Sequence, residues 1–430
     1  LQHPIFKNSS YPSTQTNIKS AMSGWDSYAR VAALLLLIIQ SIGIRFASGQ
    51  GILLSFVILF LSANGLTRFS SKDILYMLAP IALFSFSKIV NPHFDTSALI
   101  FQSLLVVCAY VVLKNYRSAE QLTDDFYIVL QLIAYHAIIG YLLFMLSPDS
   151  FQNSNFSGMP YRTLYNLFFI AYGSEGDGFR NCGVCWEPGL LQLVLNLLLF
   201  LSIQRKAHFF QLLIIALAIV STLSTAGFII IGLNVLYFLI QNRNTKNGWI
   251  FIVGTLSLLF FFSAFFLSNI TDKLGETNTS GVIRSRDFRI GIELIKEKPV
   301  IGHGKFTSRY IVSQGFSDEI EAELFTKEFL ELNGDMPGGF TNGFLALFAW
   351  FGIPFGIVAL IMLFNNNVIK AKFYERVIFM LIIIFTLVSE PVTDTTLFFL
   401  LVFSAVAIKR EDQKKAALQE AGNSVQLDVS

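Results

Sequence analysis

The chain has 430 residues; 53% are hydrophobic, 14% are charged, and the formal net charge is +2. That balance excludes an ordinary soluble domain of this size, and so small a net charge singles out no partner class and gives no sign of nucleic acid. Three cysteines cannot build a disulfide framework.

A bilayer core of about 30 Å needs roughly 17–25 apolar residues per helix. On that criterion spans are expected near 30–47, 51–67, 74–90, 97–113, 126–146 and 188–203. The second half adds 207–223, 225–241, 248–268, 342–364, 377–389 and 394–408. The expected fold is an all-α polytopic membrane protein of about twelve transmembrane helices. Residues 29–408 form its membrane domain, between a cytoplasmic segment 1–28 and a cytoplasmic tail 409–430.

Charge fixes the orientation. Lys and Arg crowd alternate short connections, among them Arg68, Lys72, Lys114, Arg117, Arg205 and Lys206. Arg45 and Lys88 are the only cations of the short connections on the other side. The positive-inside rule places the basic side in the cytoplasm and exempts long outside loops. Two such loops follow, 147–187 and 269–341, the larger between spans nine and ten.

In the first loop, Tyr161–Tyr172 is aromatic and too short to span, so it is expected to lie in the membrane interface. The segment Arg180-Asn181-Cys182-Gly183-Val184-Cys185-Trp186-Glu187-Pro188-Gly189 leads into the next span. Pro188 suits the first turn of a helix, which puts Glu187 at a helix start, where the dipole favours an anion. A helix-start carboxylate with a nearby Arg explains Glu187 and Arg180 equally well on residue types alone. Cys182 and Cys185 lack the βαβ setting of a redox motif and read as packing residues or an incidental disulfide.

In the second loop, residues 284–298 read as a helix ended by Pro299. Arg286, Arg289, Glu293 and Lys296 share one face; Phe288, Ile292 and Ile295 line another. Arg284, Arg286 and Arg289 could bind phosphate oxygens bidentately, or could form a solvated face with Arg289 and Glu293 as an i,i+4 pair. His303, between Gly302 and Gly304, has the ordinary pKa of a general base, although a loop histidine is more often incidental. Lys305 follows, but the segment lacks the spacing of a phosphate-binding loop. A second helix is expected from Ser317 to Gly334. No metal-ligand spacing occurs, and no cofactor is expected.

Taken together these segments resemble the bacterial O-antigen polymerase and O-antigen ligase superfamily over roughly residues 180–365. The R-x-x-G-x-x-x-E-P-G pattern is Arg180, Gly183, Glu187, Pro188 and Gly189. A Ser/Thr-rich stretch, Ser221–Gly227, opens the span after next. An Arg-led helix runs from Arg286 into Pro299-Val300-Ile301-Gly302-His303-Gly304, and Asn342 leads a span containing Gly352. The ligases carry a His before that Asn; Thr341 stands there, which favours the polymerase branch.

The resemblance implies a type C glycosyltransferase fold and a metal-independent reaction at the outer face of the bacterial inner membrane. The donor would be an oligosaccharide on undecaprenyl pyrophosphate, and the acceptor a hydroxyl of the next lipid-linked repeat unit. A chain-length regulator and a flippase would be companion proteins. Arg180, Glu187 and His303 would be catalytic; Arg284, Arg286, Arg289, Lys305 and Asn342 would bind substrate. Two rivals stand beside this reading: a ligase moving the finished glycan to lipid A core, and a twelve-span transporter, which would place ionisable groups at the bilayer midplane.

Overall fold

The computed structural model describes residues 24–43, 50–91, 96–156, 159–164, 168–173, 178–242, 279–305, 341–369 and 372–408. The span expected at 248–268, the helix expected at 317–334 and both termini lie outside these residues.

Apolar helices dominate. They are α1 (Trp25–Ile42), α2 (Gln50–Leu61), α3 (Ala63–Leu66), α4 (Ser71–Val90), α5 (Thr96–Lys114) and α6 (Ala119–Leu146). After a small sheet come α7 (Pro188–Gln204), α8 (Phe209–Ser221), α9 (Thr225–Asn242) and α10 (Thr279–Glu297). The last four are α11 (Gly343–Phe351), α12 (Ile353–Phe364), α13 (Phe373–Ser389) and α14 (Thr396–Ala407). Among the described residues, five helices (α1, α4, α5, α6 and α9) are long and apolar enough to cross a membrane. Shorter apolar helices, α7 and α14 among them, pack with these. The chain is therefore helical and membrane-embedded.

Helix α7 is the centre of the bundle. It is apolar nearly all round, and every residue from Pro188 to Ile203 is buried, as expected of a helix with no polar stripe. Two of its polar residues bond within the bundle. Asn196 Nδ2 donates to Gln192 Oε1 at 3.0 Å, and Asn234 Nδ2 of α9 donates to Asn196 Oδ1 at 3.0 Å. Such bonds join helices where lipid offers no alternative partner. In contrast, α4 leaves Leu75, Leu78, Phe86 and Ile89 exposed, a face matched to lipid.

Two sequence expectations need correction. The chain is not all-α: the first loop folds into a four-stranded antiparallel sheet, β1 (Gln152–Phe156), β2 (Met159–Leu164), β3 (Phe168–Tyr172) and β4 (Arg180–Asn181), in that spatial order. Tyr161–Tyr172 falls on two of those strands. Tyr161 and Thr163 are buried while Pro160 and Leu164 are exposed, the alternation of a half-buried strand. Its aromatic content conceals that period in the sequence. Tyr161, Phe169 and Cys182 form the inner cluster, and Phe144, Phe151 and Ile170 fasten the sheet to the end of α6.

The second correction concerns the span expected at 342–364, which is two helices broken at Gly352 (φ 82°). A Cβ there would overlap the carbonyl of Val300, and one on Gly302 would lie 2.5 Å from the carbonyl oxygen of Trp350. The two glycines let two backbones touch. Across that contact His303 N donates to Ala349 O (2.8 Å), Gly304 N to Trp350 O (2.9 Å) and Ile353 N to Pro299 O (2.7 Å). The Pro299–Gly304 turn thus completes the backbone pairing of a break that would otherwise leave groups unpaired.

Candidate active site

The start of α7, the start of α11, the end of α13 and the junction of α8 with α9 meet at one end of the bundle, beside the sheet. Glu187 is the N-cap of α7. Tyr161 Oη of the sheet donates to Trp186 O at 2.7 Å, which fixes the backbone immediately before Glu187. Gly183, at φ 53°, passes so close to α6 that a Cβ would lie 2.7 Å from Ala137 Cβ.

Arg180 leaves β4 toward the α8–α9 junction, where its Nε donates to Thr222 O at 3.0 Å. Next to it, Asn181 Nδ2 donates to Ser221 Oγ at 3.0 Å. The acceptor carbonyl belongs to a tight turn in which Leu223 has φ 49°, a conformation that costs a branched residue on the order of 1 kcal/mol. The Arg-led and Ser/Thr-rich motifs, about forty positions apart in sequence, are therefore one structural unit. Burial lowers the pKa of the Arg180 guanidinium; Tyr172, Glu390 and Glu187 act in the opposite direction.

Glu390 is the residue the sequence did not announce. It caps α13 at its C-terminal end, is 7% exposed, and forms a side-chain hydrogen bond with Glu187. A Cβ on Gly189 would overlap the Glu390 carboxyl group, so the glycine of the Glu-Pro-Gly motif is what admits it. Burial first, and then the neighbouring Glu187 charge, push the Glu390 pKa well above the ordinary carboxylate value; Arg284 and Arg180 pull it back. One signal could have found this residue: Glu390-Pro391 repeats the dipeptide Glu187-Pro188.

Helix α10 supplies the third wall. Arg284 is exposed and within electrostatic reach of Glu390. Arg286 is buried and paired with Asp287 at 3.0 Å. Asp287 Oδ2 in turn accepts from Thr341 N at 2.7 Å and from Thr341 Oγ1 at 2.6 Å. Asn342 caps α11 by accepting from Leu345 N at 3.0 Å. A Cβ on Gly343 would lie 2.5 Å from Glu390 O, so α11 begins against the backbone of the carboxyl pair.

The remaining candidates do not join this cluster. The inner face of α10 is Arg286, Asp287, Ile290 and Leu294, whereas Phe288 is 51% exposed. The face expected from apolarity is displaced because a buried ion pair occupies part of the inner side. Arg289 is on the exposed side, and Glu293 pairs with Lys296 at 2.7 Å. His303 is buried, with Nε2 3.1 Å from Leu294 O and 3.7 Å from Glu297 Oε2, both on the last turn of α10. Burial lowers its pKa, so the ring is neutral near pH 7. Lys305 pairs with Asp394 and lies 5.9 Å from the Trp350 ring centroid. Cys182 and Cys185 are free, buried thiols, and burial raises both pKa values.

Among the described residues no group of three or more His, Cys, Asp or Glu is arranged to hold a metal ion. The cluster instead offers guanidinium groups suited to an anion, a pair of carboxyl groups suited to proton transfer, and a helix N-terminus. No curated protein and no solved structure matches the chain. Residues 210–364 match the family model described as O-Antigen ligase. That stretch contains Arg284, Arg286, His303 and Asn342, while Arg180, Glu187 and Glu390 flank it. The match supports, over those residues, the resemblance to the superfamily of O-antigen ligases and related polymerases.

Proposed function

We propose that the chain is a type C glycosyltransferase of about twelve spans that polymerises repeat units at the outer face of the bacterial inner membrane. The donor is a glycan on undecaprenyl pyrophosphate and the acceptor is a sugar hydroxyl of the next lipid-linked unit. The observation that carries this reading is the meeting of Arg180, Glu187 and Glu390, from segments more than two hundred residues apart, with Arg284 in reach. Guanidinium groups preorganised in a poorly hydrated site stabilise departing pyrophosphate, helped by the N–H groups at the start of α7.

Glu187 accepts the proton of the acceptor hydroxyl as its oxygen attacks the anomeric carbon and the bond to pyrophosphate breaks. Glu390 keeps a proton and holds Glu187 in place. Arg286 acts through Asp287 to fix Thr341 and Asn342, so we assign it a positioning role, and we assign His303 to the turn that seals the α11–α12 break. Thr341 supports the polymerase branch: it is engaged by Asp287 at the position where the ligases carry histidine.

Ligation of a finished glycan to another acceptor is the second reading, favoured by the description of the matched family itself. Deletion of the gene tests the two. Loss of a polymerase leaves single repeats on the lipid carrier or its acceptor; accumulation of long lipid-linked polymer would establish the ligase instead.

A further inference from the structure

The opposite end of the bundle carries a second feature. The C-terminal end of α1 reaches the candidate active site, where Trp186 N donates to Ile42 O at 3.3 Å. At about 1.5 Å per residue, the N-terminal end of that helix lies roughly 27 Å away, close to the thickness of a bilayer core. A cavity of about 120 Å³ sits there, lined by Asp26, Arg30, Arg68, Asn115, Arg117 and Gln121, among others. That is below the roughly 300–1,000 Å³ of small-molecule sites and is room for one phosphate group, not for a nucleotide or a sugar. Trp25 and Tyr28, in the same stretch of α1, are exposed, as aromatic side chains are at the level of lipid headgroups.

Two of the guanidinium groups are each fixed by the protein along part of their edge. Arg30 Nε donates to Asp125 Oδ2 at 2.5 Å and its Nη2 to Ser27 Oγ at 3.2 Å, with the guanidinium 5.5 Å from the Tyr116 ring centroid. Arg68 Nη1 donates to Asn115 O at 2.8 Å and to Lys114 O at 3.4 Å, at the end of α5. Gly65 permits that approach: a Cβ there would lie 2.4 Å from Val111 O, so α3 rests on the last turn of α5. Among the described residues, Arg30 Nη1 and Arg68 Nε and Nη2 have no hydrogen-bond partner. Arg117 has further interactions and counts here for its charge alone.

Asp26 is the acid of the lining, its Oδ1 accepting from Asn64 Nδ2 at 3.3 Å. The guanidinium groups of Arg30, Arg68 and Arg117 outnumber the carboxylates of Asp26 and of Asp125 behind Arg30. Asp26 and Gln121 belong to the first turns of α1 and α6, so two helix N-termini, which favour an anion, flank the cavity.

We propose that this cavity binds a phosphate group, presented by the headgroup of an anionic phospholipid in the leaflet opposite the candidate active site. A phosphate diester accepts N–H donors from guanidinium groups in pairs, and its single negative charge matches the excess of one cation over Asp26 and Asp125. The bound headgroup ties the start of α1 to the end of α3 and to the α5–α6 connection, which makes an anionic lipid a structural ligand of the bundle. The site is independent of the glycosyltransferase reading.

The test uses the full chain in neutral detergent, with phosphatidylglycerol, phosphatidylcholine of the same acyl chains and glycerol phosphate as probes. Native mass spectrometry reads lipid retention, and thermal melts read stabilisation. Phosphatidylglycerol should be retained and raise the melting temperature, phosphatidylcholine should do neither, and glycerol phosphate should compete only weakly. Arg68→Gln is expected to weaken retention about tenfold or more, Asp26→Asn to strengthen it, and Arg180→Ala, at the other end of the bundle, to match the parent. Equal retention of the two lipids, or parental affinity in Arg68→Gln with its lipid-free melting temperature preserved, would overturn the site. Should Arg68→Gln fold poorly, unchanged affinity in Asp26→Asn would count against it in the same way. Binding of glycerol phosphate without retention of phosphatidylglycerol would overturn the lipid as the source.

Discussion

The carboxyl group of Glu390 occupies the space a side chain on Gly189 would fill. One residue's missing Cβ therefore decides where another's acid sits. Changing Gly189 to Ala is expected to expel Glu390 from the start of α7 and separate it from Glu187. Polymer synthesis should fall at least tenfold, about 1.4 kcal/mol, in protein that still reaches the membrane. Adding Glu390→Asp, one methylene shorter, should restore part of the loss. Wild-type polymer from Gly189→Ala alone would mean that the contact is idle.

The two glutamates should respond differently to the amide. Glu187→Gln removes the proton acceptor and is expected to lower turnover by about 10²–10⁴, the range for a positioned general base. Glu390→Gln copies the protonated carboxyl and should retain activity within a few-fold. Initial rates with lipid-linked donor would show this, and equal loss in both variants would refute the division of roles.

Stability should carry the same signature. Because the Glu390 pKa is raised in the folded protein, native protein holds a proton that unfolded protein releases. Its contribution is complete below the ordinary carboxylate value of 4.5 and declines as pH rises through the raised value. Thermal melts in detergent should fall with rising pH across that interval. In Glu390→Gln the slope should flatten; an unchanged slope would assign it to other groups.

Arg180 tests the anion-binding side. Arg180→Lys keeps a cation but cannot reproduce both the Nε bond to Thr222 and a second pair of donors, so it should lose nearly as much turnover as Arg180→Ala. A loss of roughly 10²–10³ is expected from removal of one preorganised donor. Recovery of near-normal rates by lysine would reduce the role to bulk charge.

Asp287 links a buried guanidinium to Thr341. Asp287→Ala should destabilise the protein by about 3–5 kcal/mol, the range for removing one partner of a buried ion pair, measured by detergent or thermal unfolding. The double change Arg286→Met/Asp287→Leu should cost much less than Asp287→Ala alone. Additive losses would show that the pair is not coupled.

The membrane character of the chain was legible because apolar run length is a local property, and eleven of the expected spans contain or overlap a helix named above without need of tertiary information. The motifs around Arg180, Glu187 and Asn342 were legible as patterns, but their partners were not. Residue types gave Glu187 and Arg180 an ordinary capping explanation, which only the approach of Glu390 from α13 displaces. His303 looked like a base because its sequence neighbours are small. Those glycines instead serve a backbone contact with the α11–α12 break, and the imidazole faces the last turn of α10.

Sequence by itself thus settled the solvent of this protein, the placement of most helices and the two motif segments, since burial in lipid is written in every apolar run. Tertiary structure alone decided the sheet in the first loop, the break at Gly352 and the Glu187–Glu390 pair. Strand pairing, backbone contact and the sharing of a proton between two acids are relations between distant residues. They depend on which surfaces come within about 3 Å of each other, a distance that no local pattern of residues records.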